Sequence, residues 1–171
     1  MITEDKAAAD LNTLLSDWAR ERLEAIGVYE SENDKYEKWA AKIISDLRGT
    51  YSDTAIRLFL RPVNRGLPGE YTRSARLRGE CGDTVEIYLK TGDGVIKDVH
   101  FTTDGCDPSV AACGALAEIA RGMSEKEAGC LCGGDILEYL GLFPEENAHC
   151  ALLAVNALKK ALAVSANNIS E

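Results

Sequence analysis

Positive charge is scarce in this chain. Lysine and arginine number 19 against 28 aspartates and glutamates, for a net charge of −9. That balance argues against a nucleic-acid binder, which needs cations to neutralise phosphates. Long apolar runs are missing too: no stretch approaches the roughly 18 residues of a membrane span. The opening Met1-Ile2-Thr3-Glu4-Asp5-Lys6 has no basic region followed by an apolar run, so no secretory signal is expected. There is no internal repeat, no low-complexity segment and no Cys-x-x-Cys pair. These absences point to a soluble cytoplasmic protein, in which six cysteines are thiols rather than disulfides.

What is present is organised in three stretches. In the first fifty residues, Leu11, Leu14, Leu15, Trp18, Ala25 and Ile26 recur at helical spacing, broken by Arg22, with Gly27 as a stop. Tyr36, Trp39, Ala40, Ile43, Ile44 and Leu47 repeat the pattern up to Gly49. The polar segment Glu30–Asp34 connects the two. The expected product is a helical hairpin with both tryptophans on its apolar side, packed on the rest of the chain or on another subunit. A short helix over Asp53–Leu60 and a Pro/Gly loop follow.

The middle stretch reads as strands. Ala75–Gly79 is a weak candidate. Val85, Ile87 and Leu89 alternate with polar residues, Thr91-Gly92-Asp93-Gly94 is a turn, and Val95, Val99 and Phe101 make the return strand. The last stretch is helical. Asp107-Pro108 is expected as N-cap and N1 of a helix ending at Gly122, Ser124–Glu127 as a capping box, Asp135–Leu140 as a short helix, and a long helix closes the chain. Helices on both sides of a small antiparallel sheet make an α+β fold. Six arginines from Arg57 to Arg78, against one acid (Glu70), form either a solvated face or a docking surface for an acidic partner.

The chemistry lies in three cysteine settings: Cys81-Gly82-Asp83, Gly105-Cys106-Asp107-Pro108 and His149-Cys150. Cys81 and Asp83, two apart at the mouth of a strand, would point to one face; the alternative is a tight turn with Asp83 bonding local backbone and Cys81 as a small hydrophobe. Cys106 precedes a helix start, whose unpaired N–H groups favour a thiolate. His149 and Cys150 lie about 100° apart on a helix and share one metal only if the helix begins there. Thiolates converging with a carboxylate and an imidazole are the ligands of a zinc or iron–sulfur site. Cys113, among alanines inside a helix, reads as core. Cys130-Leu131-Cys132 supplies extra thiols suited to a second metal or a reversible disulfide.

At these residues the chain resembles the NifU-like (IscU-type) iron–sulfur cluster assembly scaffolds. Tyr51-Ser52-Asp53 with Ile56, then Pro62, Asn64 and Gly66, looks like that family's first helix and loop, and the three cysteine motifs match in order and spacing. The resemblance runs from about Tyr51 to Ala163. It implies a three-stranded antiparallel sheet packed with helices over 51–166, with residues 1–50 as a helical extension and 167–171 as a tail. The function it implies is a non-enzymatic scaffold. Such a protein takes sulfur from a cysteine desulfurase, binds iron, assembles a labile 2Fe–2S cluster and passes it to acceptor proteins. The resemblance makes Cys81, Cys106 and Cys150 the cluster ligands, Cys150 the first sulfur acceptor, and Asp83 or His149 the fourth ligand. A zinc-bound sulfur acceptor partnering a desulfurase is the alternative; the 44-residue gap from Cys106 to Cys150 looks like the scaffold form. Zinc in the purified protein and a homo-oligomer are compatible with either. Phe143–Asn147 stands where the family carries a Leu-Pro-Pro-Val-Lys segment read by a chaperone; with acids replacing apolar residues there, that chaperone is not expected to bind.

Overall fold

The structure, a computed structural model, describes residues 4–26 and 33–164, with side chains from 11 to 26 and from 38 to 164. Gly27, the connector up to Glu32, the Tyr36 side chain and the tail 167–171 therefore lie outside the described residues. The elements are α1 (Glu4–Ala25), α2 (Asn33–Thr50), α3 (Asp53–Leu60), β1 (Arg73–Arg78), β2 (Thr84–Gly92), β3 (Val95–Thr103), α4 (Asp107–Ala120), α5 (Glu125–Cys130), α6 (Gly133–Leu140), a 3-10 turn (Glu145–Asn147) and α7 (Ala148–Ala163). This is the expected α+β arrangement. The sheet is antiparallel throughout, in the order β1-β2-β3.

The sheet's inner face is set by period-2 alternation. Ala75, Ile87 and Phe101 pair across the three strands, flanked by Leu89 opposite Val99, and all are buried. Asp93 (φ 56°) and Gly94 (φ 73°) form the tight turn between β2 and β3, since two-residue hairpin loops require this left-handed backbone. A register shift at Lys90/Thr91 changes the alternation beyond the turn. Ile96, rather than Val95, enters the core there.

Helix α4 is buried on nearly every side, which its alanine-rich sequence permits. A Cβ added at Gly114 would lie 3.1 Å from Leu58, so this glycine lets α3 approach α4 closely. The final helix, α7, crosses β1 and β2 and is tied down at its far end: Arg73 donates to Glu125 (3.0 and 3.2 Å) and to the Leu162 carbonyl, and Lys160 donates to the Arg76 carbonyl. Arg57 makes a two-pronged pair with Glu118 (2.9 Å each), and Arg78 donates to the Gly82 carbonyl. At least half of the arginine-rich segment is thus engaged in internal structure, and its reading as a docking surface is reduced accordingly.

The N-terminal helices run antiparallel, since Arg48 meets Asn12 while Leu23 packs on Ala40 and Ile43. Their buried stripe differs from the expected one. It is Leu11, Leu15, Ala19 and Leu23, an i, i+4 row, while Ile26 is 68% exposed and Arg22 faces outward. Trp39 is 41% exposed rather than buried. Leu11 and Leu15 join the main core together with Ile44 and Leu47, so the hairpin and the sheet domain share one apolar interior.

Candidate metal and sulfur site

Three chain segments meet at one end of the sheet. The first is the turn between β1 and β2. It is closed by Gly79 N–H to the Asp83 carbonyl (2.8 Å) and Gly82 N–H to the Gly79 carbonyl (3.1 Å), with Gly82 at φ 95°. Cys81 and Asp83 sit in this turn, not in the strand. The same-face argument drawn from strand geometry therefore does not apply to them. The second segment joins β3 to α4. Asp104 accepts from Thr84 N–H (2.6 Å), a bond that holds its carboxyl below the usual range, and Thr103 donates to the Thr84 carbonyl. Cys106 itself is the N-cap of α4, so Asp107 and Pro108 occupy the first turn, one position later than the sequence suggested. The third is the start of α7. Tyr51 fixes it from below, stacking edge-on against Phe59 and Phe143 and accepting from Asn147 (3.0 Å).

Ser109 links these segments. It is 1% exposed and is the only buried polar side chain among the described residues. Its Oγ lies 2.8 Å from Asp83 Oδ2, 3.3 Å from Cys150 Sγ and 3.7 Å from Cys106 Sγ. A carboxylate can only accept, so Ser109 donates to Asp83 at the shorter distance, and the same hydroxyl lies within donating reach of Cys150 Sγ. Gly105 makes the approach feasible: a Cβ there would come within 2.6 Å of Asp83 Oδ2 and 2.7 Å of Ser109 Cβ. Sequence reasoning missed Ser109, although its position three residues after Cys106 puts both on the first turn of one helix.

His149 and Cys150 are placed as the sequence required for joint use, because α7 begins at Ala148. His149 Nδ1 lies 2.7 Å from the Glu146 carbonyl, which can only accept, so Nδ1 carries the proton and Nε2 is free. That free nitrogen lies 3.5 Å from Cys150 Sγ. Cys150 is buried, whereas Cys81 and Cys106 are exposed. Burial, offset in part by the Ser109 hydroxyl and reinforced by Cys106 and Asp83, pushes the Cys150 thiol up to about 11. Cys81 and His149 share the wall of an open cavity of about 540 Å³ with Leu77–Glu80, Leu152, Leu153 and Asn156. Among the described residues, no three His, Cys, Asp or Glu side chains converge closely enough to hold a metal ion as they stand. By their chemistry, thiols with a carboxylate and an imidazole are donors suited to a thiophilic centre.

The sequence model of the NifU-like N terminal domain matches residues 50–169. The chain belongs to this family. It is 33% identical over 113 residues to the iron–sulfur cluster assembly scaffold protein IscU 1 of Archaeoglobus fulgidus, covering 66% of this chain and 74% of that one. It is 38% identical over 84 residues to IscU of Haemophilus influenzae, covering 48% and 66% of the two chains. The nitrogen fixation protein NifU of Nostoc is 31% identical over 122 residues; the match takes in 66% of this chain and only 40% of that protein. Two crystal structures share the fold. One is a NifU-like protein (N-terminal) from Brucella abortus, with TM-score 0.53, 21% identity and 66% and 92% coverage. The other is a putative scaffold protein for the SUF system from Fervidobacterium islandicum, with TM-score 0.55, 19% identity and 68% and 98% coverage.

Three further features of this NifU-like chain bear on the site. Cys113 is fully buried, as its alanine-rich setting suggested, and burial raises its thiol pKa far beyond use as a thiolate. Cys130 and Cys132 are exposed at the junction of α5 and α6, on either side of the buried Leu131. Arg22 of α1 pairs with Asp107 at 3.4 Å, so the hairpin reaches the rim of the site instead of leaving that end wholly open. No helix among the described residues is long and apolar enough to cross a membrane.

Proposed function

We propose that the chain is an iron–sulfur cluster assembly scaffold. It receives sulfur from a cysteine desulfurase, gathers iron, builds a 2Fe–2S cluster on Cys81, Cys106 and Cys150 with Asp83 or His149 as the fourth ligand, and passes the cluster to acceptor proteins. It accepts sulfur stoichiometrically, as a carrier and not an enzyme. The observation that carries this reading is the gathering of Cys106, Cys150 and Asp83 around one buried hydroxyl, with Cys81 and His149 on the adjoining cavity.

The chemistry of the ligand set supports a carrier rather than a permanent holder. Stable clusters are held by four thiolates. Three thiolates with a harder oxygen or nitrogen donor at a partly exposed site bind less tightly, which suits release. Cys150 is the sulfur acceptor in this reading. Its thiolate attacks the outer sulfur of the desulfurase persulfide; the S–S bond breaks and the donor thiolate leaves, and each transferred sulfur then takes two electrons from an external reductant to become cluster sulfide. Burial and the raised pKa mean that acceptance needs the site to open. His149 Nε2, 3.5 Å away, is the group placed to take the thiol proton.

Purification without oxygen tests this reading. The protein should carry a visible-absorbing brown chromophore, or acquire one on reconstitution with ferrous iron and sulfide, in proportion to protein. Each of Cys81→Ser, Cys106→Ser and Cys150→Ser should abolish it. A colourless protein that binds one zinc ion and forms no chromophore would support the zinc-bound sulfur acceptor instead.

A further inference from the structure

We propose that Ser109 is the positioning residue that selects Asp83, over His149, as the fourth ligand of the three-cysteine site. The inference rests on the site proposed above and adds a role for a side chain that does not itself touch the cargo.

Each candidate ligand is held by a hydrogen bond on one of its two polar atoms, which leaves the other for a cation. Ser109 Oγ donates to Asp83 Oδ2 at 2.8 Å, leaving Oδ1 for a cation. The Glu146 carbonyl accepts from His149 Nδ1 at 2.7 Å, leaving Nε2. Such partners of ligating side chains fix their orientation and strengthen binding, and losing one typically lowers metal affinity by about 10–100-fold.

The two arrangements are unequal. Ser109 is buried and its bond to Asp83 part-buried, so water competes less there than at His149 and the Glu146 carbonyl, which lie at an exposed surface. Ser109 also touches Cys150 Sγ and Cys106 Sγ, so it presents the carboxylate and two of the three sulfurs as one set. Gly105 has no side chain where a Cβ would fall 2.6–2.8 Å from Asp83 Oδ2 and the Ser109 hydroxymethyl group, so the backbone leaves room for this contact. His149 touches only Cys150 within this group. The arrangement favours Asp83 while Ser109 holds it, with His149 in reserve.

Zinc is the probe, bound to the full chain. Affinity is read by competition with a chelator, and the fourth ligand by zinc K-edge X-ray absorption, in which imidazole leaves a distinct scattering signature. Wild-type protein should show three sulfurs and an oxygen without that signature, and Ser109→Ala should show it. His149→Ala should leave wild-type affinity within about threefold, yet lower the affinity of Ser109→Ala by about 10-fold or more. Ser109→Thr, which keeps the hydroxyl, should behave as wild type. Asp83→Asn should give the imidazole signature by itself and make Ser109→Ala silent in its background, as expected of residues acting as a unit. If Ser109→Ala fails to fold, Ser109→Cys, which keeps the size but donates only weakly, takes its place and should show the imidazole signature. An imidazole ligand in the wild type, or an oxygen ligand retained in Ser109→Ala, would overturn the inference alone. Wild-type protein that binds no zinc through Cys81, Cys106 and Cys150 would overturn the proposed site and the inference with it.

Discussion

Leu15→Ala tests whether the N-terminal hairpin is part of the folded core. Leu15 is 1% exposed and belongs to the apolar cluster that also contains Ile56, Leu58 and Leu116. Truncating a leucine at such a position removes its transfer free energy and leaves a cavity, at a cost of about 2–5 kcal/mol. In a chain of this length each kcal/mol lowers Tm by about 2–4 °C, so a loss on the order of 10 °C is expected. Ile26 is the control. It fits the apolar stripe by sequence but is 68% exposed, and Ile26→Ala should change stability by no more than about 0.5 kcal/mol. Urea denaturation followed by far-ultraviolet circular dichroism measures both. The decisive feature is a single transition that moves as a whole in Leu15→Ala, because the hairpin and the sheet domain share one interior. If Leu15→Ala melts like wild type, or splits the curve into an early helical phase and an unchanged late phase, the hairpin is a separate unit and the packing described here is wrong.

Other outcomes follow from local geometry. Burial raises the Glu118 pKa, but hydrogen bonds from Arg57 and Tyr139 and the Arg57 charge outweigh it, leaving the carboxyl below its ordinary value. A depressed carboxyl stabilises the fold above its unfolded pKa, near 4.3, and this stability is lost as pH falls through the lower folded value. Glu118→Gln should therefore flatten the acid limb of a stability-against-pH curve measured from pH 3 to 7; an unaltered acid limb would show that the pair contributes nothing. Gly105→Ala should disrupt the Ser109–Asp83 contact and weaken zinc binding by about 10-fold or more, as read by chelator competition, because its Cβ would overlap both groups. Replacing Cys130 and Cys132 together by serine should leave reconstituted cluster content unchanged, since neither is among the side chains bonded to Ser109; a loss comparable to that of Cys106→Ser would place them in the cluster site.

Much of the fold was legible because its signals are local. The β2–β3 hairpin follows from alternation and an Asp-Gly turn, α3 forms over Asp53–Leu60 as expected, and α5 follows from a Ser/Glu capping box that forms as expected. What escaped was decided by tertiary contact. Trp39 and Ile26 fall on a plausible apolar stripe, yet the core takes the row through Ala19 and Leu23, because that is the face that meets α2 and α3. Ile96 replaced Val95 in the core through a one-residue register shift, which no alternation count reveals. The site followed the same pattern. Cys106 and His149-Cys150 were visible as motifs at element ends, but Ser109 carries no motif and matters only because Gly105 lets Asp83 reach it. At Cys81-Gly82-Asp83 the sequence allows a strand mouth or a tight turn, and the turn is what forms, with Gly82 at positive φ.

Cluster transfer is the measurement that bears most directly on the central claim. Protein reconstituted without oxygen to a 2Fe–2S chromophore would be mixed with an apo-ferredoxin, and the circular dichroism of the acceptor followed in the presence of a chelator too weak to strip the donor. The account predicts that the acceptor gains its cluster while this chain loses its own. Asp83→Ala should slow that transfer by removing the hard ligand that keeps the cluster labile. A cluster that never leaves the wild-type protein, or an acceptor that fills equally fast from free iron and sulfide with this chain absent, would contradict it.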